Sequence, residues 1–359
     1  METIDLNGRL ITLTDIVAGT PVPATDFESH TLSFIRAWLT GTEAFVLHTS
    51  GSTGTPKPIH LSRSQMTASA HGTAQALGLQ PGWTALVTLD TRFVAGKMML
   101  VRSLVTGMHI VAREPSANPL AQLPADQHVD FAALVPYQVE TILQSPQAAR
   151  LPTLGTIIIG GAPLRASTAH QVATLPCRAY TTYGMTETIT HIALQRLVPD
   201  AEPGIFEALP GITLSVDERE CLVISAAYIP GGRVVTNDRV EMISEKKFRW
   251  LGRWDNMINT GGFKVNPESI EYQIEKIFHR FHIPHSFFVA GIPDPRLGEK
   301  LVLVIEGHAD EHLKSKIDDA LKSIASGIER PKSLIFIREF TRTPTQKVNR
   351  QVTLQHTTD

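Results

Sequence analysis

Short runs of β-forming residues, separated by stretches with helical signals, constrain this chain more than any other feature. Phe45–His48, Thr84–Leu89, His109–Ala112, Phe131–Val135 and Thr156–Ile159 each read as a strand. Between them, Ser62-Arg-Ser-Gln65 has the spacing of a capping box and predicts a helix to about Leu77. Pro163 suits the first turn of a helix reaching about Leu175. Strands alternating with helices imply an α/β unit built on a parallel, helix-covered sheet.

Beyond Gly211 the texture changes. Ile212–Val216, Cys221–Ser225 and Arg233–Val235 read as short strands, and Val240–Ile243 with Phe248–Leu251 as a hairpin turning at Glu245-Lys246. This predicts a smaller β subdomain appended to the α/β part. After Asp255 a helix-and-strand pattern resumes: helices over Pro267–Phe278 and Glu311–Ile324, strands over Ser286–Ala290, Leu301–Glu306 and Ser333–Ile337. The expected division is 1–252 for a first domain and 253–359 for a second, with a tight hinge near Leu251–Asp255. At 359 residues the chain is long for one core.

Composition excludes several classes of function. A net charge of −2, with no basic stripe interleaved with aromatics, gives no case for nucleic acid. No run approaches a membrane span, and Met1-Glu-Thr-Ile-Asp lacks the order of a signal peptide. Only Cys177 and Cys221 occur, without metal-ligand spacing, as suits reduced thiols in the cytoplasm. The 14 histidines show no zinc motif.

The loop His48-Thr-Ser-Gly-Ser-Thr-Gly-Thr-Pro-Lys-Pro58 concentrates hydroxyls, glycines and an ammonium at a strand end. Backbone N–H groups and Lys57 there suit a polyphosphate, although the spacing is not that of a Walker A loop. A Ser/Gly linker is the plainer reading of this loop alone. Thr181-Thr-Tyr-Gly-Met-Thr-Glu187 offers a ring to stack on a base (Tyr183), a hydroxyl for a phosphate (Thr186) and a carboxylate for Mg²⁺ (Glu187). A helix cap at Thr186 is the competing explanation. Gly160-Gly-Ala-Pro163, Thr236-Asn-Asp238, Leu251-Gly-Arg-Trp-Asp255, Thr260-Gly-Gly and Lys347 have equally plain alternatives as turns or solvated groups.

Their order argues otherwise. Taken together, these motifs resemble the adenylate-forming acyl-CoA synthetase superfamily over about residues 44–350. The resemblance implies a large α/β N-terminal domain with a β subdomain and a small mobile α+β C-terminal domain. It implies that ATP and a carboxylate give an acyl-adenylate, which coenzyme A then resolves, with Mg²⁺ assisting. Carried over by position, Thr49, Ser50, Gly51, Ser52, Thr53, Gly54 and Lys57 form the triphosphate loop. Gly161, Ala162 and Tyr183 line the adenine site, and Gly184 is a further nucleotide-binding residue. Thr186 touches the α-phosphate, Glu187 holds Mg²⁺, Asp238 and Arg253 hold the ribose, and Lys347 stabilises the adenylation transition state. Only 47 residues precede His48, fewer than in other members, so the first subdomain is expected to be truncated. Pro58 and Asn237 depart from the family's usual glycines.

Among short members, the chain resembles the o-succinylbenzoate–CoA ligases of menaquinone synthesis. Phe93–Arg102 falls where such enzymes carry the acyl pocket, which makes Gly96, Lys97, Arg102 and Thr182 candidates for the acid. A dicarboxylate needs its unreacted group held, a task suited to Arg102 or Lys97, and less well to Arg92. The alternatives are a ligase for another aryl or small acid, with CoA or a carrier protein as acceptor, and a non-catalytic nucleotide-binding module. An apolar face left by the short N-terminal region would suit a second subunit, so a homodimer is an open expectation.

Overall fold

The computed structural model describes residues 1–48, 58–308, 310–324, 327–342 and 348–355. Among them, thirteen strands form one sheet. Thr3–Leu6, His109–Ala112, Thr84–Val87, Phe131–Leu134, Thr156–Ile159 and Arg178–Gly184 run parallel, in that order across the sheet. Arg9–Thr12 closes one edge as an antiparallel hairpin partner of Thr3–Leu6. On the other side of Arg178–Gly184 the sheet continues antiparallel through His191–Arg196, Ile205–Ala208 and Lys247–Arg253. The predicted α/β class is therefore observed.

One expectation is extended here and one is corrected. The strands after Gly211 form the expected β-rich part, and they are continuous with the main sheet, because Ile205–Glu207 pairs with Lys247–Arg249. Phe45–His48 is not a parallel strand. Ala44–His48 pairs antiparallel with Pro58–Ser62 in a separate two-stranded ribbon, since both ends of the intervening loop return to the same place.

Helices cover the sheet as the local signals dictate. Arg63–Leu77 begins in the predicted capping box, where Ser62 Oγ accepts from Gln65 N at 3.1 Å and Gln65 Oε1 from Ser62 N at 2.9 Å. It ends at Gly78 in the left-handed conformation. Val94–Thr106 packs against it and has Met98, Met99, Leu100 and Val101 without accessible surface. A helix apolar on every side must lie between two layers. It does so here, between the sheet and Arg63–Leu77. The helix expected from Pro163 instead begins at Ala166. Its first N–H is capped from a distance, by Glu275 Oε1 at 2.6 Å, so no local capping residue marks the start.

After Trp254–Asn256 a second sheet forms: Phe263–Val265, Ile258–Thr260, Gly298–Glu306 and Phe287–Asp294 antiparallel, with Ser333–Ile337 parallel to Gly298–Glu306. Pro267–Arg280 and Glu311–Leu321 bury Ile270, Ile274, Phe278, Ile317 and Leu321 against one face. Phe340 packs on Phe288, Val302 and Val304 of the other face. This smaller unit meets the first through Glu275 on Ala166 and through Arg165 Nη2, which donates to Ser286 Oγ at 3.0 Å.

Candidate functional site

Loops leaving the carboxyl ends of parallel strands converge where neighbouring strand directions change, and ligands of α/β sheets bind at such places. In this sheet the change falls at Arg178–Gly184, parallel to Thr156–Ile159 on one side and antiparallel to His191–Arg196 on the other. Gly161 and Ala162 follow the first of these strands and are exposed. Thr182 lies at the opening, its side chain against Gly160. Gly184 pairs with His191, and a side chain there would collide with the Thr190 carbonyl at 2.5 Å. Only glycine lets the strands approach at that point.

Tyr183 is held from below by Phe248 (5.0 Å between centroids, edge-on) and Phe206 (5.6 Å, tilted). Its hydroxyl donates to Asp238 Oδ2 at 2.6 Å, while Trp250 Nε1 donates to Oδ1 at 3.2 Å. Burial, then the charge of Asp238, raise the Tyr183 pKa, so the phenol stays a donor. Asp238 is buried and held by neutral donors, with Arg253 Nη1 at 3.9 Å. Arg253 itself is gripped by Asp255 through Nε at 2.8 Å and Nη2 at 2.7 Å. Those hydrogen bonds, stronger than the opposing burial, raise its pKa. Tyr183, Asp238 and Arg253 are thus brought together, with Trp250 and Asp255 as partners. Trp250 carries no motif of its own in the sequence; its place on the same strand as Arg253 is the signal that points to it.

Thr186–Thr188 forms a single turn, with Glu187 exposed. Thr186 is not its cap. Thr188 Oγ1 accepts from Met185 N at 3.0 Å and shares its one proton between the carbonyls of Met185 and Thr190. Next, Ile189 has φ 70° and ψ −53°, while Thr190 N donates to Thr188 O at 2.8 Å. That is a γ-turn of the rare positive-φ kind, and a buried β-branched residue at its centre is strained. The strain lies between Glu187 and the next strand.

The acid-binding candidates separate clearly. Gly96 lies against Asp90, where a Cβ would meet the carbonyl oxygen at 2.5 Å, so its role is close packing of the helix entrance. Lys97 donates to the Arg92 carbonyl at 3.2 Å and rests 5.9 Å from the Phe34 ring centroid. Burial lowers its pKa against the pull of Asp90. Arg92 is exposed and paired with Asp90 at 2.6 Å. Arg102 is only 2% exposed and has no ion pair with any described residue. Its Nη2 donates to Thr190 Oγ1 at 2.7 Å, Nη1 faces Met99 Sδ at 3.9 Å, and Nε has no partner. Burial brings its pKa down to about 10.

Thr49, Ser50, Gly51, Ser52, Thr53, Gly54, Lys57 and Lys347 lie outside the described residues. On either side of Lys347, Arg342 pairs with Val348 as an antiparallel bridge. Arg342 is tied to Glu306 at 2.7 Å and Arg350 to Glu271 at 2.8 Å.

The change of strand direction beside Tyr183, Asp238 and Arg253 is the setting in which the comparisons with known proteins are read. Residues 18–227 match the AMP-binding enzyme family, so the chain belongs to that family. It is 30% identical to a probable 2-succinylbenzoate–CoA ligase of Mycobacterium tuberculosis over 278 residues, covering 73% of this chain and 70% of that protein. An acyl-CoA synthetase (AMP-forming)/AMP-acid ligase II-like protein from Dyadobacter fermentans is 41% identical, with TM-score 0.64, over 95% of this chain and 97% of that one. O-succinylbenzoate coenzyme A synthetase from Bacillus subtilis, solved with ATP and magnesium, is 18% identical with TM-score 0.72 and shares the fold, over 86% of this chain and 69% of that one. The chain spans 62% to 70% of the length of the first curated relatives it matches.

Proposed function

We propose that this chain is an ATP-dependent acid–thiol ligase of the cytoplasm, and that its acid is o-succinylbenzoate. One observation carries the choice of acid. Arg102 is a buried guanidinium with no carboxylate partner among the described residues and with an unpaired Nε. A buried cation without a countercharge is costly, and a ligand carboxylate would supply one. A dicarboxylic acid has one group to react and one to offer Arg102. Lys97, which spends a hydrogen bond on the Arg92 carbonyl, is the weaker candidate.

On this reading the reacting carboxylate attacks the α-phosphorus of ATP, pyrophosphate leaves, and the thiol of coenzyme A displaces AMP from the acyl carbon. Asp238 accepts the ribose hydroxyls, its orientation fixed by Tyr183 and Trp250, and Arg253 lies beside it. The adenine would rest against Gly161 and Ala162, whose exposure fits a flat ring. Glu187 would hold Mg²⁺, which neutralises phosphate charge when bound. An exposed single carboxylate suits an ion whose other ligands are phosphates and water. No cluster of three or more metal-ligating side chains competes for it among the described residues. By the family resemblance, residues 49–57 would serve the phosphates and Lys347 the adenylation step, carried on a mobile domain of residues 253–359. A homodimer remains compatible with this scheme. No helix of the described residues is long and apolar enough to cross a membrane.

The test is acid-dependent pyrophosphate release across a panel of carboxylates. Release with o-succinylbenzoate, and a large rise in its KM in Arg102→Ala, are expected. Release with benzoates alone would move the assignment to another aryl acid, and silence with every acid would leave a binding module. Lys347→Ala should cost the adenylation step ~3–4 kcal/mol, as for loss of one transition-state donor, and the thioester step little.

A further inference from the structure

Arg102 has neighbours that the proposed ligase chemistry does not use. His191, at the start of the strand paired to Gly184, is 6% exposed and lies between the guanidinium and the Arg63–Leu77 helix. Its Nε2 is 3.1 Å from Thr73 Oγ1, and its Nδ1 is 3.5 Å from Arg102 Nη2 and 3.4 Å from Thr190 Oγ1.

Counting protons fixes the tautomer. The Thr73 hydroxyl has one proton and donates it to the Ser69 carbonyl at 3.2 Å, one turn back. Arg102 Nη2 can only donate, so His191 Nδ1, which faces it, is the acceptor; Nε2 then carries the imidazole proton and gives it to Thr73 Oγ1. Nδ1 is left as a bare acceptor facing Arg102 and Thr190. Burial first, and Arg102 second, hold the His191 pKa well below its ordinary value, in keeping with a neutral ring. Every group that touches the guanidinium among the described residues is then neutral: Thr190 Oγ1, His191 Nδ1 and Met99 Sδ. A second donor also waits in this region. Tyr228 packs on the core cluster that holds Met99 and Ile189, its hydroxyl is buried without a partner among the described residues, and burial pushes its pKa up to about 12 although Arg102 draws it down.

We infer that His191, locked in one tautomer by Arg102 and Thr73, is a positioning residue that holds Arg102 through neutral acceptors only, and that Arg102 and Tyr228 together receive the second carboxylate of the acid. This rests on the proposed ligase reading and deepens it: specificity for a diacid comes from keeping the buried charge uncompensated. A histidine serves this purpose better than a carboxylate, which would orient the arginine equally well but cancel the charge the substrate must meet.

Kinetics of pyrophosphate release with o-succinylbenzoate and with benzoate, alongside thermal unfolding, test the inference. His191→Glu places an acid beside Arg102. It should raise KM for o-succinylbenzoate about 30-fold or more, with kcat falling less and benzoate turnover undiminished, as expected when a charge-assisted bond is pre-empted. His191→Asn keeps a neutral acceptor near Nδ1 and should restore most of the diacid preference. Tyr228→Phe should raise the same KM about 5- to 10-fold. If His191→Glu does not fold, Thr73→Val removes one side of the tautomer lock and should raise the diacid KM alone. Folded His191→Glu, or failing that Thr73→Val, together with Tyr228→Phe at wild-type KM for o-succinylbenzoate, while Arg102→Ala raises it, would overturn the inference and leave the ligase reading intact. An unchanged KM in Arg102→Ala would overturn both.

Discussion

Two arginines lie almost wholly inside the first domain, and they are treated in opposite ways. Arg113, 4% exposed near the sheet's N-terminal edge, meets Asp5 in a two-pronged ion pair at 2.8 and 2.7 Å. Arg102, 2% exposed near the change of strand direction, meets only neutral atoms among the described residues. Where the fold alone is at stake, the chain supplies the countercharge itself. Where a ligand is expected, it leaves the charge open and accepts the desolvation cost. Counting buried charges would not separate these regions, whereas asking whether each has a partner does.

The comparison can be broken most directly by removing one member at each place. Asp5→Ala strands the Arg113 guanidinium and should destabilise the protein by about 3 kcal/mol, read from denaturant unfolding, with KM for the acid unchanged. Next in size is Arg102→Met. The diacid KM should rise about 100-fold, while the unliganded protein becomes more stable by about 1 kcal/mol, since an uncompensated buried charge has gone. Opposite signs in unfolding are the sharpest expectation, and equal losses would erase the distinction. Smaller still, Trp250→Phe removes one neutral donor from Asp238 and should raise KM for ATP by about 3- to 5-fold, corresponding to ~1 kcal/mol. The smallest effect concerns pH. Burial raises the Glu28 carboxyl, but the Ala24 N–H, Asn7 and Arg9 outweigh it and hold its pKa below 4.5. A depressed native pKa contributes stability above the unfolded value that fades as pH falls through the native one. Glu28→Gln should therefore flatten the stability profile below pH 4.5.

What was legible in the sequence follows the range of the interactions involved. The Ser62–Gln65 capping box acts within one turn, and its helix begins where the spacing puts it. The helix after Pro163 starts later because its cap, Glu275, comes from 109 residues away. The strands after Gly211 were recognisable as strands, but their continuity with the main sheet depends on Ile205–Glu207 meeting Lys247–Arg249, a pairing no local pattern announces. At the site, charge and motif order pointed to Arg102, Tyr183, Asp238 and Arg253. His191 and Tyr228 carried no such signal, since a histidine in an apolar strand and a tyrosine in a loop acquire meaning only from what they face.

The γ-turn at Ile189 has a consequence for the size of acid that can be used. Glu187 and Thr190 stand on either side of one strained, core-anchored residue, so the spacing between them is set by covalent geometry more than by soft packing. On the proposed reading, Glu187 holds the metal ion at the phosphates beside the activated carboxyl, and Thr190 braces the arginine that takes the retained one. The turn then works as a gauge block: a diacid one methylene too short or too long would meet an unyielding backbone, and discrimination by length would persist even in variants whose charge recognition has been lost.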